Sequence, residues 1–146
     1  MLLPATTFLE DLLAGKGLIA GPKPSRREKS DIDLGWDIAQ KIAALDIGQT
    51  LIVKNGAVLA IEGFDGTNET IRRGGALGRS GTVMIKVAKP NQDMRFDVPV
   101  IGPETISVAV EAKIRVIALE ADRTLLLEKA DVIRAAQTAG ISVIGH

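Results

Sequence analysis

Fourteen residues, Lys86-Val87-Ala88-Lys89-Pro90-Asn91-Gln92-Asp93-Met94-Arg95-Phe96-Asp97-Val98-Pro99, carry the densest set of groups able to do chemistry in this chain. Two lysines, an arginine and two aspartates stand among two prolines. Cations suit phosphate oxygens, and carboxylates suit a hard metal ion or general-base work. The run Thr82 to Val87 reads as a buried strand leading into this segment. The charges therefore fall just past the carboxyl end of a strand, where α/β proteins build their sites. On local pattern alone, a polar loop with two surface ion pairs fits equally well.

Composition narrows the chemistry. Cysteine is absent, which excludes disulfides, thiol catalysis and Cys-bound zinc. The single histidine is the last residue, His146, poor ground for a His-ligated metal or a Ser-His-Asp triad. A metal here is expected to be oxygen-ligated, magnesium or manganese. Net charge is zero, and the aromatics are three Phe and one Trp, so neither a basic footprint nor a base-stacking platform for nucleic acid is expected. Gly74-Gly75 and Gly78-Arg79-Ser80-Gly81 lack both the Gly-Lys-Ser/Thr ending of a P-loop and the GxGxxG spacing, so no nucleotide cofactor is expected.

The elements that must position these groups follow from periodicity and punctuation. Thr7 and Glu10 form a capping box for a short helix to about Ala14. Residues 15–29, broken by Gly15, Gly17, Gly21, Pro22 and Pro24, read as a linker or arm. A single domain is then expected over residues 30–146. Ser30 and Asp33 cap a helix whose face is Ile32, Trp36, Ala39, Ile42 and Ala43. Thr50 to Lys54 and Ala57 to Glu62 form a hairpin around Asn55-Gly56. A turn at 63–68 precedes a helix through Leu77, and Gly102-Pro103-Glu104 opens another. Val116 to Leu119 and Thr124 to Leu127 read as a strand pair, with Arg123 able to pin it through Glu120 or Asp122. A helix from Glu128 or Lys129, closed by Gly140, precedes a last strand at Ile141 to Ile144. The expectation is an α/β layered domain, a mixed sheet flanked by helices, preceded by an N-terminal helical arm.

Several strings together resemble a known family. They are Asp46-Ile47-Gly48-Gln49, the hairpin at 53–62, Gly66-Thr67 before Ile71-Arg72-Arg73, and Lys86-x-x-Lys89-Pro90-x-Gln92-Asp93-x-Arg95-Phe96-Asp97-x-Pro99. Glu120-Ala121-x-Arg123-Thr124-Leu125 completes the set. From Leu3 to Gly145 the chain resembles the carboxy-terminal domain of the LpxI family, the UDP-2,3-diacylglucosamine pyrophosphatases of lipid A synthesis. The resemblance implies hydrolysis of the pyrophosphate to UMP and 2,3-diacylglucosamine 1-phosphate, with a divalent cation. It implies that Asp97 is essential, as a metal ligand beside Asp93 that orients water or as a direct general base. Lys86, Lys89, Gln92, Arg95, Thr67, Arg72 and Arg123 become candidate ligands of the substrate. Asp65 joins Asp93 and Asp97 as a candidate metal ligand. Where the family commonly has Glu-Gly-Thr-Asp, this chain has Asp65-Gly66-Thr67-Asn68.

Members of the family have two domains, so the expected partners are the lipid-linked UDP-sugar and an N-terminal domain outside this sequence. A homo-oligomer, a cytoplasmic location and peripheral contact with the inner membrane are expected of a Gram-negative bacterial protein of this kind. The alternative reading is a non-catalytic domain that binds a phosphorylated ligand or a partner, or that oligomerises, and is inactive without the other domain.

Overall fold

Alternation of apolar side chains along two strands sets the layering. In β2 (Thr50–Lys54) and β4 (Thr82–Lys86), Leu51, Val53, Val83 and Ile85 face one side of the sheet, and Ile52 and Met84 face the other. The first side is covered by α1 (Arg26–Ala44), whose Ile32, Ala39 and Ala43 are buried, with Trp36 and Ile42 packed at the margin. The second side is covered by α2 (Gly66–Gly78), α3 (Pro103–Glu111) and α4 (Lys129–Ala139) through Ile71, Ile106, Ala109, Val132 and Ala136. This computed structural model describes residues 10–90 and 98–146.

The main sheet has six strands in the order β1-β8-β6-β4-β2-β3, with β1 (Gly17–Ala20), β3 (Ala57–Ile61), β6 (Ile114–Leu119) and β8 (Ser142–Gly145). The strands β4, β6 and β8 are parallel, while β1 runs antiparallel to β8, and β2 runs antiparallel to both β4 and β3. Register places Lys86 opposite both Thr50 and Leu119, Leu119 opposite Gly145, and Leu51 opposite Ile61. The carboxyl ends of β3, β4, β6 and β8 and the amino end of β2 therefore share one edge. The expected mixed α/β architecture is the one observed.

The hairpin turn also agrees with the sequence. Asn55 and Gly56 have φ of 52° and 78°, the left-handed pair a type I′ turn requires. Asp31 of α1, 3% exposed, accepts both turn N–H groups, from Asn55 at 3.0 Å and Gly56 at 2.8 Å. Among the described residues no helix is long and apolar enough to cross a membrane.

The amino-terminal expectations need correction. Thr7 lies outside the described residues; from Glu10 the chain forms a 3₁₀ turn, Glu10–Leu12, and Leu13 then bridges Leu125, so no helix continues to Ala14. Residues 15–29 are not a free arm: they supply edge strand β1 and the first turn of α1. The glycines and prolines read as linker punctuation sit at a sheet edge, where they are tolerated. Gly21 is needed there, because a Cβ would stand 2.0 Å from the Ile141 carbonyl oxygen. The helix starts earlier than Ser30 because Ser25 and Glu28 form a reciprocal capping box, with bonds of 2.8 and 3.1 Å.

The strand pair read over 116–127 is also not a hairpin. β6 is already paired on both sides by β4 and β8, so β7 (Leu125–Leu126) pairs instead with β5 (Val100–Ile101) in a separate parallel pair.

Candidate functional site

The alternation that points Met84 toward α2 points Lys86 the same way, because the two are two residues apart in β4. Lys86 is 9% exposed, and its Nζ donates to Thr67 Oγ1 at 3.1 Å. Thr67 stands in the first turn of α2, which the chain enters through Gly66 at φ 84°. Asp65 occupies the N-cap position but makes no side-chain cap bond. Among the described residues the first-turn N–H groups thus have no side-chain acceptor at the positive end of the helix dipole.

The Thr67 hydroxyl in turn donates to Glu62 Oε2 at 3.1 Å, and Glu62 Oε1 accepts the Gln49 backbone N–H at 3.0 Å. Thr50 Oγ1 lies 3.5 Å from the same hydroxyl. Burial pushes the Lys86 ammonium below the usual lysine range, and the Glu62 charge opposes that shift. An ammonium has three donors, and among the described residues Lys86 places one, on Thr67.

The chain leaving β4 is braced on both sides. Gln49 Nε2 donates to the Val87 carbonyl at 3.0 Å, and the Val87 N–H donates to the Gln49 carbonyl at 2.9 Å. Glu120 Oε1 accepts the Ala88 N–H at 3.1 Å. Arg123 bonds Glu120 Oε2 at 3.3 Å and the Lys89 carbonyl at 3.4 Å. Lys89 Nζ pairs with Asp46 Oδ1 at 2.7 Å, and that bond holds the Asp46 carboxyl below its ordinary range. A shallow cleft of about 180 Å³ lies between Asp46–Gln49, Glu62–Gly63 and Lys89.

The structure therefore sorts the candidate residues. Lys86 and Thr67 come together, and Lys89 lines the cleft at the same edge. Arg123 bonds the base of the charged segment, through Glu120 and the Lys89 carbonyl, rather than a strand pair. Arg72 is exposed, pairs with Glu69, and lines a different cleft between α2 and α3 beside Gly75 and Val108. It is not brought to the Lys86 site. Gln92, Asp93, Arg95 and Asp97 lie outside the described residues.

Asp65, a candidate metal ligand, is engaged by an arginine. Its Oδ2 accepts from Arg73 Nε at 3.0 Å, and that bond holds the carboxyl below its ordinary range. Arg73 also donates to the Ile61 carbonyl at 3.0 Å, so the pair ties α2 to the end of β3. A cation at Asp65 would face a guanidinium charge already in place. Among the described residues no group of three or more His, Asp or Glu is placed to hold a metal.

Four residues of the site were missed as such by sequence reasoning: Gln49, Thr50, Glu62 and Glu120. In the sequence pattern Glu62 reads as the last residue of a hairpin strand, and Glu120 as a turn acid able to pair with Arg123. A signal was present in both cases, since each carboxylate belongs to one of the strings that carry the family resemblance.

The LpxI C-terminal domain family matches residues 15–144 of the chain. Among curated proteins, the chain is 38% identical over 150 aligned positions to UDP-2,3-diacylglucosamine pyrophosphatase LpxI of Caulobacter vibrioides. The alignment takes in 97% of this chain and 53% of that relative, so the chain spans about half the relative's length.

Proposed function

The chain belongs to the LpxI C-terminal domain family, and on that premise we propose that it is the phosphate-handling part of a UDP-2,3-diacylglucosamine pyrophosphatase. The reaction in this reading is attack of water on the pyrophosphate, giving UMP and 2,3-diacylglucosamine 1-phosphate, a step of lipid A biosynthesis. The observation that carries it is the buried Lys86 ammonium, bonded to Thr67 at an α2 N-terminus with no side-chain cap. A pyrophosphate oxygen suits both groups: it is acceptor-only and anionic, and the site offers buried charge and oriented N–H donors. Such donors stabilise charge that grows on the phosphoryl oxygens during cleavage.

Asp97 is the carboxylate proposed as essential, either taking a proton from water or holding a cation beside Asp93. Magnesium held there would neutralise pyrophosphate charge. Lys89 stands at the same edge as Lys86, where its ammonium, paired with Asp46, could turn to an anionic substrate.

A second reading is favoured by the chain's covering 53% of its relative: the domain binds the phosphorylated ligand but needs the remaining half for turnover. UMP release from UDP-2,3-diacylglucosamine with magnesium, compared between the chain and Asp97→Asn, tests both. Turnover lost in the variant supports a self-sufficient catalytic half. A folded, unmodified chain that binds UMP without releasing it from substrate supports the second reading, and one that does neither rejects both.

A further inference from the structure

We propose that Glu62 is the positioning residue of this phosphoryl site, aligning Thr67 and Lys86 without touching the substrate itself. The inference rests on the reading of Lys86 and Thr67 given under Proposed function. Glu62 directly follows β3, and its backbone N–H extends the pairing by donating to the Thr50 carbonyl at 2.9 Å. That fixes the root of the side chain. Both carboxylate oxygens are then engaged, one by the Gln49 N–H and one by the Thr67 hydroxyl. Gly48 permits this close approach, because a Cβ there would stand 2.0 Å from the Glu62 carbonyl oxygen.

A hydroxyl has one proton. With that proton on Glu62, the Thr67 oxygen acts only as an acceptor, from Lys86 at 3.1 Å and from Thr50 at 3.5 Å, so the bonds run from Lys86 to Thr67 to Glu62. A phosphoryl oxygen cannot take the Thr67 proton while Glu62 holds it. It can take the two Lys86 donors that have no partner among the described residues, and the first-turn N–H groups of α2. The roles thus divide: Lys86 holds the anion, Thr67 relays, and Glu62 orients both.

Glu62 also supplies the charge that opposes Lys86. Three other carboxylates described at this edge are engaged elsewhere: Asp65 by Arg73, Asp46 by Lys89, and Glu120 by Arg123 and the Ala88 N–H. The surrounding cations, Arg73, Lys89 and Arg123, are the partners in those pairs.

The test is the titration of Lys86 Cε, followed by NMR in the ligand-free chain carrying ¹³C-labelled lysine, together with UMP release across the same pH range. Glu62→Gln is expected to move the Lys86 midpoint to lower pH. It should also lower UMP release about tenfold to a hundredfold and shift the alkaline fall in activity the same way. Glu62→Asp keeps the charge one methylene short of Thr67, and should leave the midpoint nearer wild type than Glu62→Gln does. It also serves if the amide variant does not fold. In a double-mutant cycle, Glu62→Gln and Thr67→Val should lose less together than the product of their separate losses. An unmoved Lys86 midpoint in both folded Glu62 variants, or multiplicative losses in the cycle, would overturn the proposal. Absence of UMP release from the unmodified chain counts against the hydrolase reading, while the ligand-free titration still decides the role of Glu62.

Discussion

Lys86 Nζ and Thr67 Oγ1 stand 3.1 Å apart, and this bond ties the last residue of β4 to the first turn of α2. It exists because strand alternation turns Lys86 inward at the edge where α2 begins. A buried ammonium with two donors unplaced among the described residues, beside a helix start without an N-cap side-chain bond, suits an anion.

Removing that ammonium should separate binding from folding. Lys86→Met is expected to lower UMP release about a hundredfold, with the substituted chain still folded. Lys86→Arg should not restore it, because a planar guanidinium does not fit where the compact ammonium is buried. Initial rates of UMP release and far-ultraviolet circular dichroism check both statements.

Lys86 also sets a sign for stability against pH. Its folded pKa lies below the ordinary lysine value of 10.5, so between the two the unfolded chain binds more protons. Stability contributed by this group therefore rises with pH through that window. The cost of burying the charge is fully present below the folded pKa. Urea denaturation of wild type and Lys86→Met at several alkaline pH values should show the wild type gaining relative to the variant as pH rises.

Arg123 should matter through the backbone it bonds. Arg123→Ala frees Glu120 and the Lys89 carbonyl, which together fix the chain leaving β4. The side chains are 33% and 18% exposed, so the stability loss expected is modest, about 1 kcal/mol. UMP release should fall several-fold as the segment carrying Asp97 loses its anchor. Arg123→Lys should not recover it, since one ammonium does not reproduce the fork that spans both partners. Urea denaturation midpoints and initial rates test this.

Gly74→Ala should destabilise the fold although alanine favours helices. The added Cβ would stand 2.4 Å from Ile52 Cβ, in a helix that packs directly on β2. The helix-propensity gain is about 1 kcal/mol. Overpacking a closed core costs about 1–3 kcal/mol, and more when a rigid branched carbon is the neighbour. Thermal denaturation should give a lower Tm, and UMP release should fall too, because the same helix carries Thr67.

Removal of the Asp31 carboxylate should loosen the hairpin. Asp31→Ala leaves the Asn55 and Gly56 N–H groups without the acceptor that α1 gives them. A loss of about 1–3 kcal/mol is expected. Hydrogen exchange at those two amides should accelerate more than exchange in the centre of β4.

What could be read from the sequence was what is local. Asn55-Gly56 demanded its turn because few residues tolerate two consecutive left-handed conformations, and Pro103 and Gly140 marked helix ends for reasons of covalent geometry. The apolar period of α1 and the run in β4 gave the layers, since one face or both must leave water. The strings around Lys86, Asp97 and Arg123 named the family. Tertiary structure decided the rest. Strand β1 was illegible because its pairing with β8 joins the two ends of the chain, and no local pattern records a distant partner. β7 looked like half a hairpin until both sides of β6 were filled. Glu62 looked like the end of a hairpin strand, and Asp65 and Arg72 like ligands. Only the meeting of β3, β4 and α2 at one sheet edge gave Glu62 the Thr67 hydroxyl, gave Asp65 an arginine, and left Arg72 facing another cleft. Residue types fix what each group can do, but hydrogen bonds and charge interactions act over a few ångströms, and the fold decides which groups come that close.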